Sequence, residues 1–431
     1  MFKYDFIILY EHRNRELENA VLLAMKLEKK GYKVAIEYRR SARILFQRSK
    51  VILAPFLYYD DNVIDFAFQP FMNCKKLINM QYEQVVTIDD EKTGNQFSLE
   101  HARDAIQIAW GQIPHELMRI NGINEKNIFE IGQISMDLNF SKYDKLFISR
   151  EDLSEKYNIP NNKKWLLFIS SFSCTDILDA EMEEWASTTP TVYMFKDLSV
   201  KSQKVVLKYL VNICKKHKDY IVIYRPHPHE KDNKKIRAIE KKLPNFKCIS
   251  DYSIRQWIRV SDTITTWCST SIADVYFANK KCAIIRPYVF PEDIDYAIFM
   301  DQKIISDYAS VEDFINNESE DYYLNGNTIK KYYCNSSHSD SFDKLLNLCI
   351  KTLKSDECSV NYRKKINVSR AHLLKIYIYK LLMTIAGIVD YSRFIPEKYA
   401  VDVFNSHREM KGYRKDIKEY RYRLGKELFD E

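Results

Sequence analysis

The chain has 431 residues, 46% hydrophobic and 29% charged, with only 9 Gly and 11 Pro. This is a globular composition, long enough for two cores of ordinary size, and it excludes long disordered linkers. The formal net charge is +7, and residues 361–431 alone hold 16 Lys/Arg against 9 Asp/Glu, so the remainder is neutral and a nucleic-acid surface spread over the whole chain is not expected.

The 9 Cys are scattered singly, with no Cys-x-x-Cys pair, so reduced buried thiols in a cytoplasmic protein are expected rather than a zinc or disulfide framework. The opening Met-Phe-Lys-Tyr-Asp-Phe is not signal-peptide-like, and no window reaches the ~20 apolar residues of a spanning helix. Residues 5–10 read as a short apolar strand, followed abruptly by Glu11-His12-Arg13-Asn14-Arg15-Glu16. Leu17, Ala20, Val21, Ala24, Met25 and Leu27 then recur at helical spacing. Further strand-like runs fall at 32–36, 50–55, 76–80, 104–110 and 127–131, with a helix over 115–121. This βαβ rhythm predicts a parallel sheet with helices on its faces, in a first domain over 1–150.

Residues 138–163 read as a connector. A second alternation begins at 164–169 and runs through strands at 220–224, 246–250, 262–267 and 281–286. Helices are expected at 205–217, 254–260, 311–316 and 340–356. The expected fold class is α/β: two doubly wound Rossmann-like domains facing a cleft, the second over 151–360, followed by a basic helical tail over 361–431.

Two strands of the second domain end in clusters suited to an anion. The strand at 220–224 runs into Arg225-Pro226-His227-Pro228-His229-Glu230, and the two prolines stop the ladder and stiffen the turn. The strand at 262–267 runs into Cys268-Ser269-Thr270-Ser271, just before the helix-like Ile272-Ala273-Asp274. Hydroxyls beside free N–H groups at a helix start suit a phosphate, although the same residues also serve as a plain N-cap. Ser171, in the loop after 164–169, is a phosphate neighbour or the hydroxyl of a simple turn. No Asp-x-Asp metal motif stands out, and no metal or cofactor is expected.

Arg225-Pro226-His227-Pro228 resembles the HP motif, and Ser269-Thr270-Ser271 the Ser-Ser motif, of bacterial GT-B type transferases that use CMP-activated Kdo or sialic acid. The pattern is more distantly similar to CDP-glycerol and CDP-ribitol phosphotransferases. Residues 10–18, Trp110-Gly111 and residues 132–137 resemble surface carbohydrate biosynthesis proteins. The resemblance covers about residues 5–290. It implies that Arg225, His227, Ser269, Thr270 and Ser271 hold the nucleotide phosphate, in a metal-independent, inverting transfer from a CMP-sugar to a glycan or glycolipid. Such a transfer needs a general base, for which Glu11, at the end of the first strand, leads and Glu83 follows. The phosphotransferase alternative needs a catalytic His. Where that family has a His-Gly-Thr-like loop this chain has Gln81-Tyr82-Glu83-Gln84, leaving His12, His101 and His115 as substitutes. A non-catalytic nucleotide-sugar-binding scaffold is a third reading.

In the tail, residues 372–389 are largely apolar and 408–426 interleave Arg, Lys and Tyr. They are expected either to pack as closing helices across both domains or to rest on an anionic inner-membrane face, which would make the protein peripheral there.

Overall fold

The computed structural model describes residues 2–428 apart from 71–72, 94–95, 176, 178, 187–190, 229, 231–233, 318 and 339. Among these, the short apolar runs form two six-stranded sheets, and every strand pairing is parallel. Residues 6–10 of the first strand, and the strand Tyr220–Arg225 throughout, are buried, as parallel sheets covered on both faces require.

The first unit comprises Met1–Gln84, Asp90–Asp137 and Lys330–Glu431. Its strands are β1 (Phe2–Tyr10), β2 (Val34–Tyr38), β3 (Gln47–Ala54), β4 (Leu77–Asn79), β5 (Ile106–Ala109) and β6 (Ile128–Glu130), in the order β2-β1-β3-β4-β5-β6. The chain leaves β1 for β2 on one side and returns to β3 on the other, so the switch point lies at the C-terminal ends of β1 and β3. A π-helical turn over Arg13–Leu17 leads from β1 into α1 (Glu18–Lys29). Helix α2 (Asp60–Ala67) follows β3.

The second unit comprises Val85–Asp89 and Leu138–Ile329. Its strands are β7 (Lys164–Ile169), β8 (Tyr220–Arg225), β9 (Phe246–Cys248), β10 (Thr263–Thr266), β11 (Cys282–Ile285) and β12 (Ile304–Ile305). The order is β12-β11-β10-β7-β8-β9. This is the doubly wound Rossmann order, with the switch point between β7 and β10. Trp165, Trp257, Ile221, Ile223 and Ile264 pack in its core. The six-residue helix α3 (Ile272–Phe277) follows β10.

The unit boundaries differ from those expected at 150 and 360. Asp137 is fully buried, accepting from the N–H and hydroxyl of Ser341 and from Asn335 Nδ2, at 2.7 Å from the last. These bonds tie the returning chain to the first unit. Gly132, at φ +95°, has no room for a Cβ beside Ser341 Oγ and Asn335. A Cβ on Gly111 would likewise strike the backbone of Tyr332. The tail is not separate either: Tyr362, Ile366 and Leu373 belong to the core of the first unit. It continues as α4 (Arg370–Ala386), α5 (Glu397–Met410) and α6 (Tyr413–Leu428).

Candidate functional site

In the second unit, Arg225 at the end of β8 and Thr266 at the end of β10 both lie opposite Ile169 of the central strand β7. The turn after β8, the loop after β7 and the turn after β10 therefore leave one sheet edge at one level, on strands ~5 Å apart. This is the C-terminal edge at the switch point, where doubly wound sheets bind ligands.

The turn after β8 is held by Glu230. Its carboxylate accepts from Ser170 Oγ at 2.6 Å, Tyr224 OH at 2.5 Å and the His227 N–H at 3.1 Å. Burial and this carboxylate push the Tyr224 phenol well above its ordinary range, so it remains a donor. The Glu230 N–H donates to the His227 carbonyl at 2.9 Å, closing a four-residue turn that leaves His227 half-buried. His229 lies outside the described residues.

Arg225 has a different place from the one the motif implies. It is only 7% exposed, and its guanidinium donates to the carbonyls of Asp251 and Tyr252. Tyr252 sits at φ +64°, a conformation costly for a bulky residue, and Arg225 braces it. These bonds turn the Arg225 guanidinium toward backbone carbonyls, a different setting from the phosphate contact that the motif implies.

Ser171 Oγ accepts the Cys268 N–H at 3.0 Å, stitching the loop after β7 to the end of β10 across the switch point. Ser269 Oγ accepts the Ser271 N–H at 3.3 Å, while the Ser269 and Thr270 carbonyls receive the N–H groups of Ile272 and Ala273. Thr270 and Ser271 are half-buried. Because α3 has six residues, its dipole is small, and local hydroxyl and N–H donors are the chemically useful feature here. The edge thus combines an imidazole-bearing turn with hydroxyl-bearing turns, a donor set that suits an oxyanion.

In the first unit, Glu11 follows β1 at that sheet's own switch point. Arg39 Nη2 lies 2.9 Å from Glu11 Oε1, and the Arg39 guanidinium stands over the Phe56 ring. Burial opposes ionisation of Glu11, but Arg39, with His12 and Arg15, holds its carboxyl below the ordinary value. Glu83 is exposed, and its Oε1 accepts from Arg15 Nη1 at 2.7 Å. Arg15 Nη2 also donates to Glu16 Oε1 at 2.8 Å, which brings Glu11, Glu16 and Glu83 into one cluster.

Glu16 was not singled out by the sequence. The π-helical turn folds its carboxylate back onto the N–H groups of Glu11, at 2.7 Å, and His12, at 3.4 Å. Complete burial pushes its carboxyl up to about 7, against the pull of Arg15. The available signal was a second acid five residues after Glu11, the spacing of one π-turn. Arg13 turns instead to the tail, through Asp416, the Lys411 carbonyl and Glu409 Oε2.

Of the histidines, His12 stands beside Glu11, with Nε2 3.9 Å from Oε2. His101 pairs with Asp60 at 2.9 Å, and His115 with Glu125 at 2.9 Å. Among the described residues, no group of three or more His, Cys, Asp or Glu is placed to hold a metal ion.

The two doubly wound parallel sheets with C-terminal helices place the fold in the two-domain α/β class of GT-B type. No protein-family model matches the chain, and no curated protein matches it. Among solved structures it is similar to a variant of the wall teichoic acid polymerase TagF soaked with CDPG, at 14% identity and TM-score 0.51 over 81% of this chain and 89% of that one. It is also similar to the Methanocaldococcus jannaschii UDP-GlcNAc 2-epimerase in complex with UDP-GlcNAc and UDP, at 13% identity and TM-score 0.49 over 81% and 100%. The S. aureus MnaA–UDP structure follows at 11% identity and TM-score 0.48 over 82% and 97%. At such identities the likeness is one of fold.

Proposed function

We propose that the chain is a glycosyltransferase of bacterial surface-polysaccharide synthesis. It would transfer an acidic sugar of the Kdo, sialic or pseudaminic acid type from a CMP-linked donor to a saccharide acceptor of capsule, O-antigen or lipopolysaccharide, with inversion. The observation that carries this reading is the level alignment of the His227 turn and the Ser269–Ser271 turn on the two strands flanking β7. The sugar–phosphate bond breaks as the acceptor oxygen bonds to the sugar, and negative charge grows on the departing CMP. His227, with the hydroxyls of Ser171, Ser269, Thr270 and Ser271, stabilises that charge, so protein donors rather than a cation carry the role. Glu11, ionised at neutral pH, takes the acceptor proton, and Glu83 is the second candidate. The GT-B type fold, shared with the TagF variant soaked with CDPG, supports a nucleotide-linked donor.

A second reading, polyol-phosphate transfer from a CDP-linked donor, is favoured by His12, an imidazole at the end of β1 beside Glu11. One experiment separates the readings: incubation with CMP-Kdo, CMP-sialic acid, CMP-pseudaminic acid and CDP-glycerol. CMP released from a CMP-sugar supports glycosyl transfer, and CMP from CDP-glycerol supports the second reading. Binding without turnover of any donor reduces the protein to a non-catalytic scaffold.

A further inference from the structure

We propose that the outward face of α4, with the turn after it, docks on an anionic lipid surface. The inference does not depend on the catalytic reading. The inner side of α4 is fixed to the first unit. Lys380, 1% exposed, pairs with Asp65 at 2.9 Å and donates to the Arg39 carbonyl at 2.8 Å. Thr384 Oγ1 accepts the Ala42 N–H at 2.7 Å, and the Tyr377 hydroxyl donates to the Phe68 carbonyl at 3.1 Å.

The opposite side carries Leu374, Ile378, Leu381, Leu382 and Ile385, at helical spacing and each 46–57% exposed. Ile388, Val389 and Phe394 continue the apolar surface, and Phe394 is 86% exposed. A contiguous aliphatic stripe of this kind on a packed helix marks a docking surface rather than chance exposure.

The charge pattern selects the occupant. Residues 361–389 contain no Asp or Glu, whereas Arg370 and Lys375 are exposed on α4 and Arg393 is exposed next to Phe394. A protein partner is expected to meet a rim of mixed polar character. Asp390, exposed beside Val389, is the one acid between residues 361 and 394, against Arg370, Lys375 and Arg393, and aliphatic side chains edged mainly by cations match acyl chains beneath anionic headgroups. With its inner side packed on the first unit, α4 can offer only its outward face, so the contact lies in the plane of the surface; among the described residues no helix is long and apolar enough to cross a membrane.

Several side chains of the basic segment that composition singles out, 408–426, hold it to the first unit. Arg421 pairs with Glu28 at 2.6 and 2.9 Å, Asp416 with Arg13, and the Tyr413 hydroxyl with Glu37 at 3.2 Å.

The test is co-sedimentation of the full chain with phosphatidylcholine vesicles, with and without phosphatidylglycerol. The wild type is expected to pellet with the anionic vesicles. Ile378→Asp with Ile385→Asp should weaken that binding by about tenfold or more. Arg370→Glu with Lys375→Glu leaves every apolar side chain in place and should remove the preference for phosphatidylglycerol, with circular dichroism reporting the fold of each. Wild-type protein left in the supernatant, or undiminished binding by both variants, overturns the proposal. A wild-type dimer made monomeric by the aspartates, with no vesicle binding, also overturns it and assigns the face to a second copy.

Discussion

Replacing Glu230 by Gln separates a phosphate-binding turn from a plain surface turn. The carboxylate holds three donors, at 2.6 Å to Ser170, 2.5 Å to Tyr224 and 3.1 Å to the His227 N–H. A hydrogen bond to a charged group contributes about 1.5–3 kcal/mol. Glutamine keeps one acceptor oxygen and turns an NH2 group toward donors, so the turn loses roughly 2 kcal/mol, the larger part of one such bond. Spent on holding the His227 turn in its binding conformation, that loss weakens CMP affinity by about 30-fold. Titration calorimetry with CMP on wild type and Glu230→Gln, beside urea melts of both, reads the two quantities separately. Unchanged CMP affinity in a variant whose melt is lowered would refute the idea that this turn positions the phosphate.

His227→Ala should abolish transfer while leaving the urea melt unchanged; near-wild-type turnover would remove the imidazole from the phosphate site. Glu11→Gln should keep CMP affinity and lose about 10²–10⁴ in kcat, whereas full activity would move the role to Glu83. With Glu11 as the base, its depressed carboxyl puts the acid limb of kcat/KM below pH 4.5, and a limb near 7, the value of Glu16, would contradict that choice. In stability the same depression gives a contribution present above pH 4.5 and lost as pH falls through the lowered value, which acid melts of Glu11→Gln against wild type would show. Arg225→Ala should cost roughly 3 kcal/mol in urea melts, because it strips charge-assisted bonds from the carbonyls of Asp251 and Tyr252; a wild-type melt with lost CMP affinity would instead return Arg225 to the phosphate.

Where the signal was local, the fold was legible. Eleven of the twelve strands among the described residues fall within a few residues of the apolar runs that predicted them, because most of these runs are bounded by charge, proline or glycine. Only β12, with two residues, lies below what alternation can reveal. The HP and serine clusters were legible because both end strands.

What stayed hidden depends on distant partners. Arg225 looks like a free cation until the carbonyls of Asp251 and Tyr252, more than twenty residues on, close around it. The unit boundary depends on Asp137 meeting Ser341 across 204 residues. The helix over 205–217 begins earlier, at Val192, because periodicity showed only its C-terminal half. In the tail, charge drew attention to 408–426, yet intramolecular ion pairs occupy several of its side chains, and the outward stripe lies on α4.

A diffraction structure of the protein with CMP bound probes the phosphate assignment most directly. The phosphate should sit at the C-terminal edge of β7, within hydrogen-bond reach of the His227 side chain and of the Ser269–Ser271 turn. A nucleotide bound elsewhere, or one whose phosphate meets neither turn, would contradict it.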